Sequence, residues 1–302
     1  MPTNKEKLKS LRQKIDAIDN SIHELILKRT RVVEEVRLVK QGEKIKIRPA
    51  REAEILYRLI ARHKGPFPKQ ELARIWRELI VATLRFEGPF SIAVKVNKSE
   101  TGYRDLARDQ YGSFAPMVQH TSNQEIIKAV STQEVTVGVL PLPRAEDTSF
   151  WWPLLVSKDY TTVRVMARLP FIPDDNSHSS KNLNALVIST VPLEETGRDR
   201  TYLCFEAKED TSFHLIKEII TKLGFPIVFK QEFSVSKKTN NLMFLTEVEG
   251  FIDEKGKQLE YIKNDLAKSY IGVSHLGGYA TPLDPVEIKN NLNKNPKKRE
   301  IL

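Results

Sequence analysis

The segment that decides the fold is residues 4–41, NKEKLKSLRQKIDAIDNSIHELILKRTRVVEEVRLVKQ. Thr3 and Glu6 form a Thr-x-x-Glu capping box at its start, and no Gly or Pro follows before Gly42. Apolar residues recur every three or four positions, the spacing of one helix face. This pattern predicts a single helix over about residues 4–41, about 55 Å long at 1.5 Å per residue. The apolar positions are Leu8, Leu11, Ile15, Ile18, Ile22, Leu25, Val32, Val36 and Val39.

One position on this apolar face carries an arginine. Arg29 follows Leu25 by one turn, where the pattern requires an apolar residue. A guanidinium keeps its charge in proteins and is costly to bury unpaired. The other strongly placed charges nearby, Lys40, Arg51 and Arg12, are all cations. We therefore expect the carboxylate of a bound small molecule to meet Arg29. The alternative is an arginine that snorkels from the edge of the seam into water.

Two shorter helices are expected after the first. Pro49 is a favoured first-turn residue for a helix that ends near Gly65, and a third helix is expected from Pro68 to Gly88. Three helices, one of them so long, cannot bury their apolar faces in a compact monomer of about 90 residues. We predict that the first helix pairs with its copy in a second chain, which gives an intertwined homodimer.

Polar side chains also lie on the apolar faces of the second and third helices. Glu52 stands one turn before an apolar stripe, and Thr83 and Glu87 continue the face that contains Ile80. Each of them alone is more typical of a helix end in solvent. Several such exceptions across three helices favour one polar site inside the bundle.

The angular positions of the cations on the first helix also suggest a site. Arg29 and Lys40 are separated by about three helical turns and share a face. Arg12 is rotated by about 100° from Arg29, at 3.6 residues per turn. We therefore expect Arg12 to serve the site of the partner chain in a dimer.

These residues, taken together, resemble a known family. LRQKIDAID at Leu11–Asp19, the Lys28-Arg29 pair, Lys40, and REAEIL at Arg51–Leu56 are similar to the all-helical (AroQ-class) chorismate mutases. The resemblance covers about residues 5–88 and implies a three-helix domain over residues 1–88.

The resemblance implies a role for each matched residue. Arg29 and Arg51 would hold substrate carboxylates, and Arg12 would be donated by the neighbouring subunit. Lys40 would contact the ether oxygen of the substrate, and Glu52 would lie near the substrate hydroxyl.

Thr83 falls where a serine is common in the family, and Glu87 falls where many members have Gln. Arg48 occupies a place where some members have an Asp. To donate a hydrogen bond to the ether oxygen Glu87 must be protonated, so we expect activity to fall as pH rises through its titration. The implied catalytic residues are Lys40 and Glu87, and the implied substrate-binding residues are Arg12, Arg29, Arg51, Glu52 and Thr83.

The implied activity is the rearrangement of chorismate to prephenate in phenylalanine and tyrosine biosynthesis. This one-substrate pericyclic reaction needs no nucleophile, metal or redox cofactor, and we expect no cofactor. Binding must hold a dicarboxylate in its folded, reactive conformer.

Composition narrows the other function classes. No stretch approaches 18 uninterrupted apolar residues, and the N-terminus lacks an apolar signal core, so we expect no membrane partner and a cytoplasmic location. The single cysteine, Cys204, lies in a strand-like run and is expected to be a small core residue. The six histidines show no ligand spacing, so no metal site is predicted.

The net charge of the protein is +9, and it arises entirely from residues 1–89, which hold 21 Lys and Arg against 12 Asp and Glu. Such an excess suits either nucleic acid or a small polyanionic substrate. Residues 1–56 contain no aromatic residue, which weakens the nucleic-acid alternative, and we expect no nucleic-acid partner. A non-catalytic ligand-sensing or nucleic-acid-binding protein stays open as an alternative.

From Phe90 the apolar period changes to that of an α/β region, expected over residues 90–190, with a polar linker at 173–181. Residues 198–284 follow with a βαββαβ order, the ferredoxin-like plan. Residues 285–302 are rich in Asn and Lys and are expected to form a disordered basic tail.

The region after residue 90 resembles a shortened prephenate dehydratase, whose α/β domain is periplasmic-binding-like, followed by its regulatory ACT domain. VGVLP at Val137–Pro141 and LGGY at Leu276–Tyr279 carry this resemblance. Dehydratases have a Thr-Arg-Phe motif before the ACT domain, where this chain has Leu183-Asn184-Ala185. We therefore expect a catalytically silent domain. An active bifunctional mutase and dehydratase is the alternative.

The ACT-like section also departs from its family. QEFS at Gln231–Ser234 replaces the phenylalanine-binding Glu-Ser-Arg-Pro signature, so phenylalanine feedback is not implied, while an amino-acid effector stays open. Trp151 and Trp152 are expected to be core or interface residues, with no chemistry assigned.

Overall fold

The computed structural model describes residues 3–39, 47–96, 102–160, 162–173, 183–208, 211–236, 241–269 and 271–289. The chain divides into two compact units, residues 1–46 with 82–89, and residues 47–81 with 90–302. The expected linker lies outside the described residues except for Pro173, and so does segment 290–302.

The first unit is built on one long helix, α1, at Asn4–Val39, which confirms the helix predicted from the apolar spacing. The capping box is formed, since the backbone N–H of Glu6 donates to Thr3 Oγ1 at 3.3 Å and that of Thr3 to a Glu6 carboxylate oxygen at 2.7 Å. The whole predicted apolar face is exposed in the single chain, with exposed fractions from 41% at Val36 to 87% at Val39.

The next two helices, α2 at Pro49–Arg62 and α3 at Lys69–Glu87, also lie where the sequence predicts them. Residues 47–81 belong to the second unit, and their buried faces follow from it. The apolar cluster around Leu56 and Ala73 includes Phe171 and Leu283 from the later part of the chain. Ile75 on α3 is 46% exposed and lies outside the buried face of this helix, which includes Ala73 and Ile80.

The second unit contains a sheet of nine strands in the described residues, in the order β2-β1-β3-β5-β4-β9-β6-β8-β7. β1 pairs in parallel with β2 and β3, and the remaining pairs are antiparallel except for β4 with β9. The strands are β1 at Ile92–Lys95, β2 at Met117–His120, β3 at Val137–Pro141, β4 at Arg164–Leu169, β5 at Ala185–Ser189, β6 at Asp199–Lys208, β7 at Ile227–Ser236, β8 at Asn241–Glu249 and β9 at Gly272–Ala280.

Helices alternate with these strands. The helices are α4 at Gly102–Tyr111, α5 at Asn123–Ser131, α6 at Phe213–Lys222, α7 at Lys257–Ala267 and α8 at Pro285–Ile288, with 3₁₀ turns at Trp152–Val156 and Lys158–Tyr160. The order from β6 to β9 is βαββαβ, as predicted. Ser122 caps α5 and Asp284 caps α8, each through a capping box.

The sheet region is the part of the second unit that follows residue 90. Its core contains side chains from strands toward both ends of the sheet. One apolar cluster includes Ile126 and Leu186 together with Tyr202 and Leu245. Trp151 and Trp152 are 4% and 1% exposed in this cluster, so they are core residues. Their indole N–H groups donate to the carbonyl of Pro141 at 2.9 Å and to Gln231 Oε1 at 2.7 Å. Cys204 is buried there as expected, and burial raises the pKa of its thiol.

The sequence pattern did not predict the strand β5 or the helix α8. β5 is buried along its whole length. A short, continuous apolar run has no alternation that distinguishes a strand from a helix, so the sequence pattern did not identify it. α8 occupies Pro285–Ile288, inside the segment that was expected to be a disordered tail from residue 285. Ile288 is 8% exposed and belongs to the cluster around Leu56, which gives this end of the chain an anchor.

Candidate active site

The structure brings together two of the predicted site residues in the first unit. Arg29 is half-buried on α1, and its Nη1 donates to Thr83 Oγ1 on α3 at 3.3 Å. Thr83 is 9% exposed. The arginine that interrupts the apolar pattern of α1 therefore reaches a buried hydroxyl rather than extending into water.

The other two predicted arginines are solvent-accessible in the chain. Arg12 is exposed on α1. Arg51 is exposed near the start of α2 and pairs with Glu54 at 3.2 Å, three residues along the same helix. An exposed pair of this kind contributes less than about 1 kcal/mol to stability. Arg48, whose alignment differs from the family, pairs with Glu194 on the surface.

The side chains of the two predicted catalytic residues, Lys40 and Glu87, lie outside the described part of the structure. Lys40 lies outside the described residues, one position after the end of α1. Glu87 is the last residue of α3, and its side chain is outside the description. Their roles therefore stay predictions.

Glu52 occupies a buried position in the second unit, as its place on the apolar face of α2 predicts. Its Oε2 accepts a hydrogen bond from Arg77 Nη1 on α3 at 2.7 Å. The side chains of Arg77 and Glu52 are 3% and 9% exposed. A short, charge-assisted bond between two buried ions holds both groups in fixed orientation.

The surroundings of this ion pair come from both the helices and the sheet region. The guanidinium of Arg77 lies over the ring of Phe171, 5.3 Å from its centroid. Tyr111, at the end of α4, is 1% exposed and close enough for its pKa to be influenced by both ions, although burial is the main cause that raises it. Burial also lowers the pKa of Arg77, which Glu52 opposes, and the guanidinium stays protonated.

Sequence reasoning missed Arg77, although a signal was present. Arg77 lies four residues after Ala73 and seven before Leu84, and these two residues are buried on one face of α3. An arginine on an apolar face was taken as informative at Arg29, and the same argument applies to Arg77. On this helix only the polar residues after Ile80, namely Thr83 and Glu87, entered the sequence prediction.

The sheet region holds a second buried carboxylate, Glu247 on β8. The hydroxyls of Tyr202 and Tyr279 both donate to it, the first at 3.0 Å, and Arg168 Nη1 donates to the Tyr279 hydroxyl at 3.2 Å. Because each carboxylate oxygen accepts from a buried tyrosine, we interpret this network as part of the packing between β4 and β6 to β9.

Neither a metal centre nor a membrane span can be identified in the described part of the chain. No group of three or more His, Cys, Asp and Glu side chains there could hold a metal ion. No helix among the same residues combines the length and the apolar character needed to cross a bilayer.

In the first unit Arg29 on α1 contacts Thr83, and in the second unit α2 carries the buried carboxylate of Glu52. Residues 11–88 match the family model described as chorismate mutase type II. This segment of the chain is therefore a chorismate mutase type II domain, which confirms the resemblance read from Arg29, Lys40 and Arg51–Leu56.

Curated relatives extend the similarity past this domain. The bifunctional chorismate mutase/prephenate dehydratase of Pseudomonas aeruginosa is 29% identical over 150 residues, 48% of this chain and 41% of the relative. The bifunctional enzyme of Stutzerimonas stutzeri is 30% identical over 148 residues, 47% of this chain and 40% of the relative. These alignments are longer than residues 1–89, so they reach into the sheet region. The chain spans about two fifths of the length of these relatives.

Solved structures give a weaker likeness. Prephenate dehydratase from Streptococcus mutans is 15% identical with a TM-score of 0.46, over 64% of this chain and 100% of that chain. Prephenate dehydratase from Arthrobacter aurescens in complex with L-Phe is 11% identical with a TM-score of 0.47, over 64% of this chain and 90% of that chain. These values carry no inference about the chemistry of this chain.

Proposed function

We propose that this protein is a chorismate mutase that converts chorismate to prephenate. The observation that carries the proposal is the match of residues 11–88 to the chorismate mutase type II family, with the Arg29–Thr83 contact at 3.3 Å inside that segment. Arg29 and Arg51 bind the carboxylates of chorismate, Thr83 supports Arg29, and Glu52 accepts from the substrate hydroxyl.

Catalysis needs stabilisation of the charge that develops on the ether oxygen as the C–O bond breaks. Lys40 and protonated Glu87 donate hydrogen bonds to this oxygen. One preorganised donor contributes about 2.7–4 kcal/mol to a transition state. A millionfold acceleration corresponds to roughly 8 kcal/mol. Two donors, together with arginines that select the folded conformer, are therefore of the required size.

The active unit is an intertwined homodimer in which α1 pairs with its copy. The support is the exposed apolar face of α1, which runs over the whole helix from Leu8 to Val39. A single chain leaves this face in water, and pairing two copies buries it. Arg12, exposed on α1, then enters the site of the other protomer.

We propose the domain boundaries 1–88, 90–190 and 198–284, followed by α8 and then by a basic tail. The α/β part is a dehydratase-like domain without dehydratase activity, and the βαββαβ part is an ACT-like domain. The absence of the Thr-Arg-Phe motif at residues 183–185 supports the silent assignment. Gln231, in the segment that replaces the phenylalanine-binding signature, is 4% exposed and bonded to Trp152. This packing role argues against an effector site there.

A two-stage assay on the purified full chain tests these assignments. Disappearance of chorismate is followed first, and the product is then tested for prephenate and for phenylpyruvate. Prephenate without phenylpyruvate is the expected result. Phenylpyruvate would establish the bifunctional alternative, and failure to consume chorismate would favour a non-catalytic ligand-binding protein.

A further inference from the structure

The buried carboxylate Glu52 depends on a residue that the family resemblance does not assign. Arg77 Nη1 lies 2.7 Å from Glu52 Oε2, and both side chains are at least nine-tenths buried. A carboxylate accepts hydrogen bonds at both oxygens, so this contact is compatible with a second bond to a substrate hydroxyl.

Arg77 is in turn held by residues that lie outside the mutase segment. Phe171 follows β4 and stacks beneath the guanidinium at 5.3 Å, while Tyr111 ends α4. A cavity of about 20 Å³ is lined by Glu52, Arg77 and Tyr111 together with Gln110 and Phe171. Arg77 Nε and the Tyr111 hydroxyl are buried and have no hydrogen-bond partner among the residues that the structure describes. The described contacts that orient the guanidinium of Arg77 are therefore its bond to Glu52 and its position over the ring of Phe171.

We propose that Arg77 is a positioning residue for Glu52 and that the sheet region, through Phe171 and Tyr111, holds Arg77 in place. The proposal rests on the mutase function proposed above. It gives the dehydratase-like region a task in the mutase reaction, namely to keep the carboxylate that faces the substrate hydroxyl ionised and oriented. A domain without chemistry of its own then still determines the activity of its neighbour.

The physical basis is the environment of a buried carboxylate. Desolvation favours its neutral form, and an adjacent cation restores the charged form. The titratable groups that line the cavity are Glu52, Arg77 and Tyr111. Since burial raises the pKa of Tyr111, this residue stays neutral, and Arg77 alone supplies positive charge among the lining residues.

The first test replaces Arg77 by methionine, which keeps the length of the side chain and removes the charge. Without the positive charge of Arg77, Glu52 should bind a proton at higher pH than before, so kcat/KM should fall at least about tenfold at neutral pH and recover as pH rises. This variant should lose activity as pH falls, whereas the titration of Glu87 should lower activity as pH rises, so the two effects can be distinguished. Arg74→Met is the matched control, since Arg74 lies one turn away on α3 with a half-exposed side chain. It should keep the wild-type values.

A double variant separates positioning from general damage to the fold. If Arg77 acts only through Glu52, then Glu52→Gln combined with Arg77→Met should match Glu52→Gln alone, and the loss at low pH that is caused by protonation of Glu52 should be absent. Replacement of both ions also leaves no uncompensated buried charge, so this chain should fold even where Arg77→Met does not. Additive losses in the double variant would overturn the proposal.

The contribution of the sheet region is tested without a change in the mutase segment. Phe171→Leu removes the ring beneath Arg77 and should lower kcat/KM about threefold or more, again with recovery at higher pH. Phe114→Leu is the control, because Phe114 is 82% exposed in the same region. Equal activity of these two variants would show that the sheet region gives no support. If the wild type is active and Arg77→Met has the same pH dependence of kcat/KM as the wild type, the positioning role of Arg77 alone is overturned. If the wild type does not convert chorismate, the mutase function is overturned and this proposal with it.

Discussion

Val165 and Gly277 form the single parallel register pair that joins β4 to β9. Gly277 has φ +113°, and a Cβ at this position would lie 2.2 Å from the carbonyl oxygen of Val165. The strands on either side of this pair therefore belong to one sheet only because the two backbones approach more closely than any side chain allows.

Gly277→Ala should destabilise the sheet region strongly. The substitution combines a backbone conformation that disfavours L residues with a clash against backbone atoms, so we expect the free energy of unfolding to fall by more than about 3 kcal/mol. Gly197→Ala is the matched control, since Gly197 has φ +79° and open space around it. It should cost only about 1–2 kcal/mol. Denaturant titration of both variants measures the difference, and equal losses would show that the close approach to Val165 contributes nothing.

His275 makes stability depend on pH at the same junction. Its Nε2 lies 2.8 Å from the carbonyl of Ile252, and its Nδ1 accepts from the N–H of Gly277 at 3.2 Å. This arrangement requires the neutral ring with the proton on Nε2. Burial is the largest cause that lowers the pKa of His275, the bond to Ile252 opposes it, and among charged neighbours Glu254 raises it while Arg164 and Lys263 lower it.

The sign of the effect follows from proton linkage. The unfolded chain takes up a proton at His275 near its ordinary pKa of about 6.5, whereas the folded chain resists it, so the unfolded state binds more protons below that pH. We expect the free energy of unfolding to decline as pH falls from about 6.5 toward the lowered pKa of the folded state. His275→Gln should weaken this slope, and His214→Gln, at an exposed position on α6, should retain it. Thermal unfolding between pH 5 and 7.5 is the measurement, and identical slopes in the two variants would rule out His275 as the cause.

The dimer proposed for α1 predicts a specific defect. Ile18 lies at the middle of the apolar face and is 58% exposed in the single chain. Ile18→Lys should produce a monomer, and mutase activity should fall at least about tenfold because Arg12 no longer reaches a partner site. Asn20→Lys adds the same charge on the other side of α1 and should stay dimeric. Sedimentation equilibrium distinguishes the two, and a dimeric Ile18→Lys protein would mean that α1 is not the interface.

The helices and most strands could be predicted because their signals are local. The spacing from Leu8 to Val39 determines α1, and Pro49 marks the start of α2. The burial of polar side chains on the helices follows from the same spacing, as Glu52 and Thr83 illustrate. What depends on distant contacts could not be predicted. The buried face of α3 includes Arg77 because Phe171, almost a hundred residues later, covers it.

The extent of β9 and the continuity of the sheet also depend on contacts between residues that are distant in sequence, so they could not be predicted. Gly277 and Gly278 interrupt the apolar pattern of the last strand, yet β9 continues through them to Ala280. The reason is that Gly277 pairs with Val165 and Gly278 pairs with Thr201. A Cβ at Gly277 would meet the backbone of Val165, and a Cβ at Gly278 would lie 2.5 Å from the carbonyl oxygen of Arg200, so neither approach leaves room for a side chain. A glycine pair that looks like a strand end in sequence is here a site of close strand packing.

Lys40 is the residue on which the proposed chemistry depends most. If Lys40 donates to the ether oxygen, Lys40→Ala removes a preorganised charge from the transition state, and kcat should fall by at least about a hundredfold. KM should change much less, because chorismate is held mainly by the arginines. Lys14→Ala, at an exposed position on α1, is the control for loss of a lysine on the same helix. Steady-state kinetics at several pH values would also reveal Glu87, since activity should decline as pH rises and Glu87→Gln should abolish that decline. A loss of less than about threefold on Lys40→Ala would mean that the assignment of Lys40 is wrong.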